Sequence, residues 1–243
     1  IDGNKVGKGV FILNASKKSK LSNTIFSNIS SLKDLSVSLS GGVTFYNSPV
    51  EIHNSIFKNG TTEDALNLFR SDFIMSNVKF ENTFSDALDI DFSNGDIKNA
   101  SFRDIGNDAI DISGSEVTIS DVYVDKAGDK GISLGEVSNL FANKINIMNT
   151  PIGIASKDLS HAKINLLNIQ NSQICLTAYQ KKSEYGPASI EILEHEDSSS
   201  CKNNYLLEPV SSIFFQGRSL LPNRKEVSDL LYGNIYGKKT IRD

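Results

Sequence analysis

From Asp64 onward the chain repeats itself every 22 residues, and this step limits the possible folds more than any other feature. DALNLFRS begins at Asp64, DALDIDFS at Asp86 and DAIDISGS at Asp108, and the same phase lands on Lys130, Ile152 and Ile174. No insertion separates these starts. A constant short period, with one β-type run at a fixed phase, is the signature of a solenoid whose coils pack only on their neighbours.

The run itself reads as a strand. Apolar residues alternate as Leu66 and Leu68, Leu88 and Ile90, Ile110 and Ile112, Ile132 and Leu134. Successive side chains of a strand point to opposite faces, so these pairs line an interior. Asn67, Asp89, Asp111 and Ser133 then face outward and stack from coil to coil. Further apolar pairs occur in the same coil, Phe73 with Met75 and then Val78 with Phe80, and they recur later as Val117 with Ile119 and Val122 with Val124. Three short strands per coil describe an all-β parallel β-helix of triangular section. The corner residues agree: Asn23, Asn54, Asn77, Asn99 and Asp121 each stand three residues before Phe26, Phe57, Phe80, Phe102 and Val124. Asn and Asp tolerate left-handed backbone and bond the adjacent main chain, which predicts a ladder of sharp turns. A second polar series, Asn28, Asn59, Asn82 and Asp104, comes just after each phenylalanine.

Residues 1–204 read as the β-helix and residues 205–243 as a closing cap or docking tail. GVFILNAS and LSNTIFSN make a first coil, and SSLKDLSVSLS adds an excursion before the copy at Gly41. Regularity ends after Tyr179. In PNRKEVSDLLYGN a short helix is predicted, with Asn223 as its cap, Glu226 as the capping-box partner, Val227, Leu230 and Leu231 on one face and Gly233 as the stop. Cys175 and Cys201 lie 26 residues apart, about one coil, so they are either bridged neighbours or two buried thiols. A bridge implies an oxidising compartment.

A net charge of −4 without a basic run argues against nucleic acid or an anionic membrane as partner. No apolar stretch approaches the roughly 20 residues of a membrane span. Ile1 rather than Met at the start is expected of a processed or trimmed chain.

The chemistry lies on the outward row. Asp89 and Asp111 share one phase on adjacent coils, about 4.8 Å apart in backbone, and Asp91 comes next on the same face. Crowded carboxylates must share a proton or meet a cation, so either a raised pKa or a bound metal, most simply calcium on Asp89, Asp91 and Asp111, is expected. A carboxylate pair suits protonation of a glycosidic oxygen and activation of water, as in a glycoside hydrolase. Lys130 or Lys157 as base beside a metal-held uronate would instead suit a polysaccharide lyase. Asn67, Phe69, Arg70 and Tyr46 are the candidate substrate contacts. Asp64, Asp86 and Asp108, at the strand entry, are expected to bond backbone amides.

The repeat resembles the right-handed parallel β-helix superfamily that includes pectate lyases, polygalacturonases, alginate lyases and mannuronan epimerases. GNDAIDISGS is similar to the Gly-Asp-Asp segment of polygalacturonases, with Asn107 in place of the first Asp, while their histidine and Arg-Ile-Lys motifs have no counterpart. From Gly41 to about Pro187, EDALNLFRS, DALDIDF, DAIDISGS, DKGISLGE, GIASKDLS and YQKKSEYG look like the β-helix module of bacterial surface proteins, sometimes joined to a spore-coat-H-type kinase domain. The kinase motifs themselves are missing here. The resemblance implies a right-handed, extracytoplasmic β-helix. It implies two functions as expectations: binding, with or without cleavage, of a polysaccharide along the acidic face, or a non-catalytic structural role docking other domains of a larger surface protein.

Overall fold

Alternation along each strand translates directly into pairing between coils. Leu66 pairs with Leu88, Leu88 with Ile110 and Ile110 with Ile132, all parallel, so residues one period apart become hydrogen-bonded neighbours. The computed structural model, which describes residues 1–6, 8–30, 39–196 and 200–233, is an all-β parallel solenoid of about 8 turns with one short C-terminal helix. A single helical turn, Gly3–Val6, precedes the first coil. The excursion at 31–38, residues 197–199 of the late polar stretch and the tail from 234 lie outside the described residues.

The first side of the solenoid is the repeated strand, seen in Gly41–Tyr46, Asp64–Phe69, Asp86–Asp91, Ile110–Ser113, Lys130–Gly135 and Ile152–Lys157. The other two sides start as separate strands, Val50–His53 and Ile56–Lys58, then merge into long bent strands such as Phe73–Thr83 and Asn94–Ile105. Their inward residues close one core. Leu88, Ile90, Ile110 and Ile112 are all 0% exposed. Equivalent phenylalanines stack along the axis, with ring centroids 4.9 Å apart for Phe26–Phe57, 5.0 Å for Phe57–Phe80 and 4.8 Å for Phe80–Phe102.

The corner asparagines behave as expected of a turn ladder. Asn54, Asn77 and Asn99 have φ of 50°, 54° and 55°, and the later amides donate to the previous coil, Asn99 to Asn77 at 2.7 Å and Asn77 to Asn54 at 3.0 Å. Asn82 donates likewise to Asn59 at 3.0 Å. Asp121 departs from the series: it has no amide to donate, and its backbone stays in the strand, paired with Lys144. Asn77→Ala, which removes the ladder and puts a Cβ-bearing residue without a local bond in left-handed backbone, is expected to destabilise by about 1–2 kcal/mol. Asn77→Gly should lose less. Urea unfolding of the two variants reads the difference.

Two features of the C-terminal region correct the sequence reading. The helix spans Val227–Tyr232, and Asn223 does not cap it. Its Oδ1 accepts the Leu207 N–H at 2.9 Å and its Nδ2 donates to the Tyr205 carbonyl at 3.0 Å, because the edge of the strand Ser200–Leu207 offers both a donor and an acceptor. The helix N terminus is served instead by Glu208, whose Oε1 accepts the Val227 N–H at 2.8 Å. Gly233 ends the helix in extended backbone (φ −84°), so no left-handed stop is used. The cysteines are joined: Cys175 and Cys201 form a disulfide with Cα atoms 5.7 Å apart.

Candidate functional site

The outward row of the first side is more enclosed than alternation alone implies. Thr44, Asn67 and Ser133 point away from the core yet are at most 5% exposed, whereas Asp89 and Asp111 are half-buried. Asn67 reaches over the next coil and donates its amide to Asp89 Oδ2 at 2.9 Å and to Asp91 Oδ2 at 3.2 Å. Asp89 and Asp91 are also hydrogen-bonded to each other. Burial, followed by the charges of Asp64, Asp91 and Asp111, pushes Asp89 up to about 10, so it carries a proton at neutral pH. Burial raises Asp91 too, while the hydrogen bonds of Asn67 and Asp89 hold it back. The pair is therefore one proton shared by two carboxyl groups, with Asp89 as its holder.

Asp111 lies one coil further. Its partner is Lys157, two coils away along the axis, whose Nζ donates to Ser133 Oγ at 2.7 Å and stands 3.9 Å from Asp111 Oδ1. The lysine can lie flat because Gly135 is beneath it: a Cβ there would come 3.2 Å from Lys157 Cε. Glu136, at the next corner, is bonded by Lys182 and Ser113. Although burial opposes it, these bonds keep its carboxyl below the usual range.

The entry positions divide by role. Asp86 Oδ1 accepts the Asp108 N–H at 2.9 Å and Asp108 Oδ1 accepts the Lys130 N–H at 3.0 Å, the backbone role expected of them. Lys130, 4% exposed, is held between Asp108 and Asp129. Asp64 is 2% exposed, and its Oδ2 has no hydrogen-bond partner. Burial, outweighing a hydrogen bond from Ser40, pushes this carboxyl up to about 7. It adds a further acid beside Asp89.

Tyr46 and Phe69 continue the same side toward the N terminus. Their rings stack at 5.1 Å, 4° from parallel, and Phe92 meets Phe69 edge-on at 5.7 Å. The Arg70 guanidinium lies 5.3 Å from the Phe69 centroid and 5.9 Å from that of Phe92. Arg70 and Phe92 occupy left-handed corners, φ 47° and 49°, where coils on either side use Asn47 and Gly114. Bulky residues held in this region are strained, and such strain concentrates at functional sites. Phe92 is nonetheless 55% exposed.

Beyond Asp111 the face deepens into a cleft of about 370 Å³, lined by Asp111, Ser133, Glu136, Lys157, Lys181 and Tyr232 among others. The loop after Tyr179 supplies Lys181 as one wall. The helix Val227–Tyr232 supplies the other, which sequence reasoning missed. Its buried Val227 and Leu231 pack on Ile152, Ala155, Ile174, Tyr179 and Leu206. Tyr232 rests with its hydroxyl 3.1 Å from that of Tyr179, and the Lys181 ammonium lies 4.3 Å from its ring. A signal was present: the entry column runs Asp64, Asp86, Asp108, Lys130 and then turns apolar at Ile152 and Ile174. An exposed face has no reason to become apolar unless something covers it.

Asp89, Asp91 and Asp111 are thus brought onto one face, with Lys157 beside Asp111 and Lys130 lining the cleft that Asp111 and Lys157 share. A calcium ion would need six or more oxygens turned to one point. These carboxylates are instead engaged with each other, with an amide and with an ammonium, and among the described residues no group of three or more His, Cys, Asp or Glu is arranged to hold a metal. Comparison of the chain with protein-family models, curated proteins and solved structures returns no match.

Proposed function

We propose that this chain is an extracytoplasmic carbohydrate-binding module, taking a polysaccharide along the coil axis from the Tyr46–Phe69–Phe92 strip over the Asp89–Asp91 pair toward Lys157. The observation that carries this reading is their continuity: Tyr46, Phe69 and Asp91 are consecutive members of one paired column. Aromatic surface beside a few convergent polar groups is what a sugar ring and its hydroxyls require. Arg70, held over the rings, adds a donor for hydroxyl or acidic substituents. The disulfide supports a location where thiols are oxidised.

Cleavage is an extension of the same reading. Protonated Asp89 is equipped to donate to a glycosidic oxygen, and Asp91 or Asp111 to activate water. The second reading, a non-catalytic docking module of a larger surface protein, is favoured by one fact: the Asn67 amide already bonds both Asp89 and Asp91.

A glycan array on the isolated chain separates the two. Binding to an extended polysaccharide, weakened roughly tenfold or more in Phe69→Ala by loss of stacking, supports the first reading. Absence of any bound glycan supports the second. Released oligosaccharides that disappear in Asp89→Asn would establish cleavage. A melting temperature that rises with added calcium, the rise vanishing in Asp89→Asn/Asp111→Asn, would put an ion at the cluster, and no rise would leave the shared proton as its charge balance.

A further inference from the structure

The wall of the cleft is connected to the disulfide through a short series of contacts. The strand Ser200–Leu207 pairs, among the described residues, only with His161–Tyr179, and its register shifts between Gln170 and Ser172, where Cys201 joins. Most of its side chains are exposed or half-buried until Leu206 and Leu207. An edge strand with one partner and little buried surface belongs to the weakly held part of a fold. The bond from Cys201 to Cys175 ties it down covalently.

The residues after this strand build the wall. Glu208 uses both carboxylate oxygens, Oε1 for the Val227 N–H at 2.8 Å and Oε2 for the Gln180 N–H at 3.0 Å. One residue thereby anchors the helix that carries Tyr232 and the loop that carries Lys181. Asn223 bonds Tyr205 and Leu207, fastening the approach to the helix to the same strand. Tyr232 and Lys181 then meet over the cleft. Strand, loop and helix share these anchors, so they are held or released together.

We propose that the Cys175–Cys201 bridge conditions this cleft: oxidised, the chain presents a completed wall; reduced, the edge strand Ser200–Leu207, the loop 180–187 and the helix loosen as a unit. Formation transfers two electrons and two protons from the two thiols to an exchange partner of the disulfide class, which leaves as two thiols; reduction is the reverse. The inference rests on reading the cleft as the binding site. It ties competence to bind to passage through an oxidising compartment.

Hydrogen exchange on the intact chain tests it, before and after reduction with a phosphine, which takes oxygen from water to form its oxide while the bridge gains two electrons and two protons. Exchange in 180–187 and 227–232 should quicken by roughly tenfold or more, with coils 43–135 unchanged. Lys130 and Lys157, at 4% and 6% exposure, should become open to acylation only in the reduced chain. A reduced chain with unaltered exchange in both segments overturns the proposal, and so does loss of protection throughout 43–135, since the bridge would then hold the whole solenoid. Glu208→Gln keeps the bridge and weakens only the anchor. It should loosen 227–232 while 200–207 stays protected, and unchanged exchange in that helix would also overturn the coupling. Neither readout uses a glycan, so failure here and failure on the glycan array are separate results.

Discussion

Ile110→Asp is expected to destroy the central coils. Ile110 is fully buried and pairs with Leu88 on one side and Ile132 on the other, so its carboxylate would have no cation and no water. An unpaired buried charge costs about 3–5 kcal/mol, which for a chain of this size lowers the melting temperature by roughly 10 °C or more. In a stack where stability passes between neighbours, loss at a middle coil also removes two coil–coil interfaces. Ile74→Asp is the control. Ile74 is 40% exposed on the outward phase, and its substitution should shift melting little. Equal melting of Ile110→Asp and wild type would refute the assignment of faces.

Stability should also fall as pH rises, the reverse of ordinary acid denaturation. Asp89 is raised to about 10, and Asp64 and Asp108 to about 7, all chiefly by burial. A carboxyl with a raised folded pKa binds its proton more tightly folded than unfolded. Its favourable contribution is complete below the unfolded value near 4 and is lost as pH climbs through the folded one. Asp64 and Asp108 place this loss between about pH 4 and 7, and Asp89 extends it toward 10. Each tenfold gain in proton affinity corresponds to about 1.4 kcal/mol, so the fall should be read readily as a drop in melting temperature. Asp89→Asn keeps an acceptor for Asn67 and a donor for Asp91 without a proton to lose. Its melting temperature should therefore exceed that of wild type at pH 8–9 and vary less from pH 5 upward. A wild-type melting temperature that is flat over this range would show the pair to be hydrated and ordinary.

Legibility in the sequence tracked the range of the interactions. The interior was legible because each residue of Leu66–Leu68, Leu88–Ile90 and Ile110–Ile112 meets its own equivalent one period away, so a local pattern carries a tertiary contact. Asp86 and Asp108 bonded the next coil's backbone for the same reason. The shared proton of Asp89 and Asp91 could be expected from crowding, but not the amide of Asn67 that bridges them. The enclosure of Asn67 and Ser133 was hidden too, because period-two alternation assigns a direction and says nothing about what covers it. The helix was found from its apolar spacing, yet its seat on Ile152 and Tyr179, and its dependence on Glu208 in place of Asn223, join residues outside the repeat. The strain at Arg70 and Phe92 escaped because it is a backbone property: Asn47 and Gly114 accommodate left-handed turns silently, and only the structure shows Arg70, Phe92 and Glu136 forced into the same corner.

The constant 22-residue step of the first-side strands from Asp64 to Ile152 makes this part of the chain count in whole units. Removing one residue from within Asp86–Ser115 would invert inside and outside along the rest of a strand. Removing all 22 residues from Ala87 to Asp108 would instead bring Leu66 against Ile110 and Leu68 against Ile112, apolar on apolar in the original phase. A small deletion is thus the graver injury, and a large one the milder. Within these strands length can change only by the coil, and the span of the outward face grows or shrinks in equal steps.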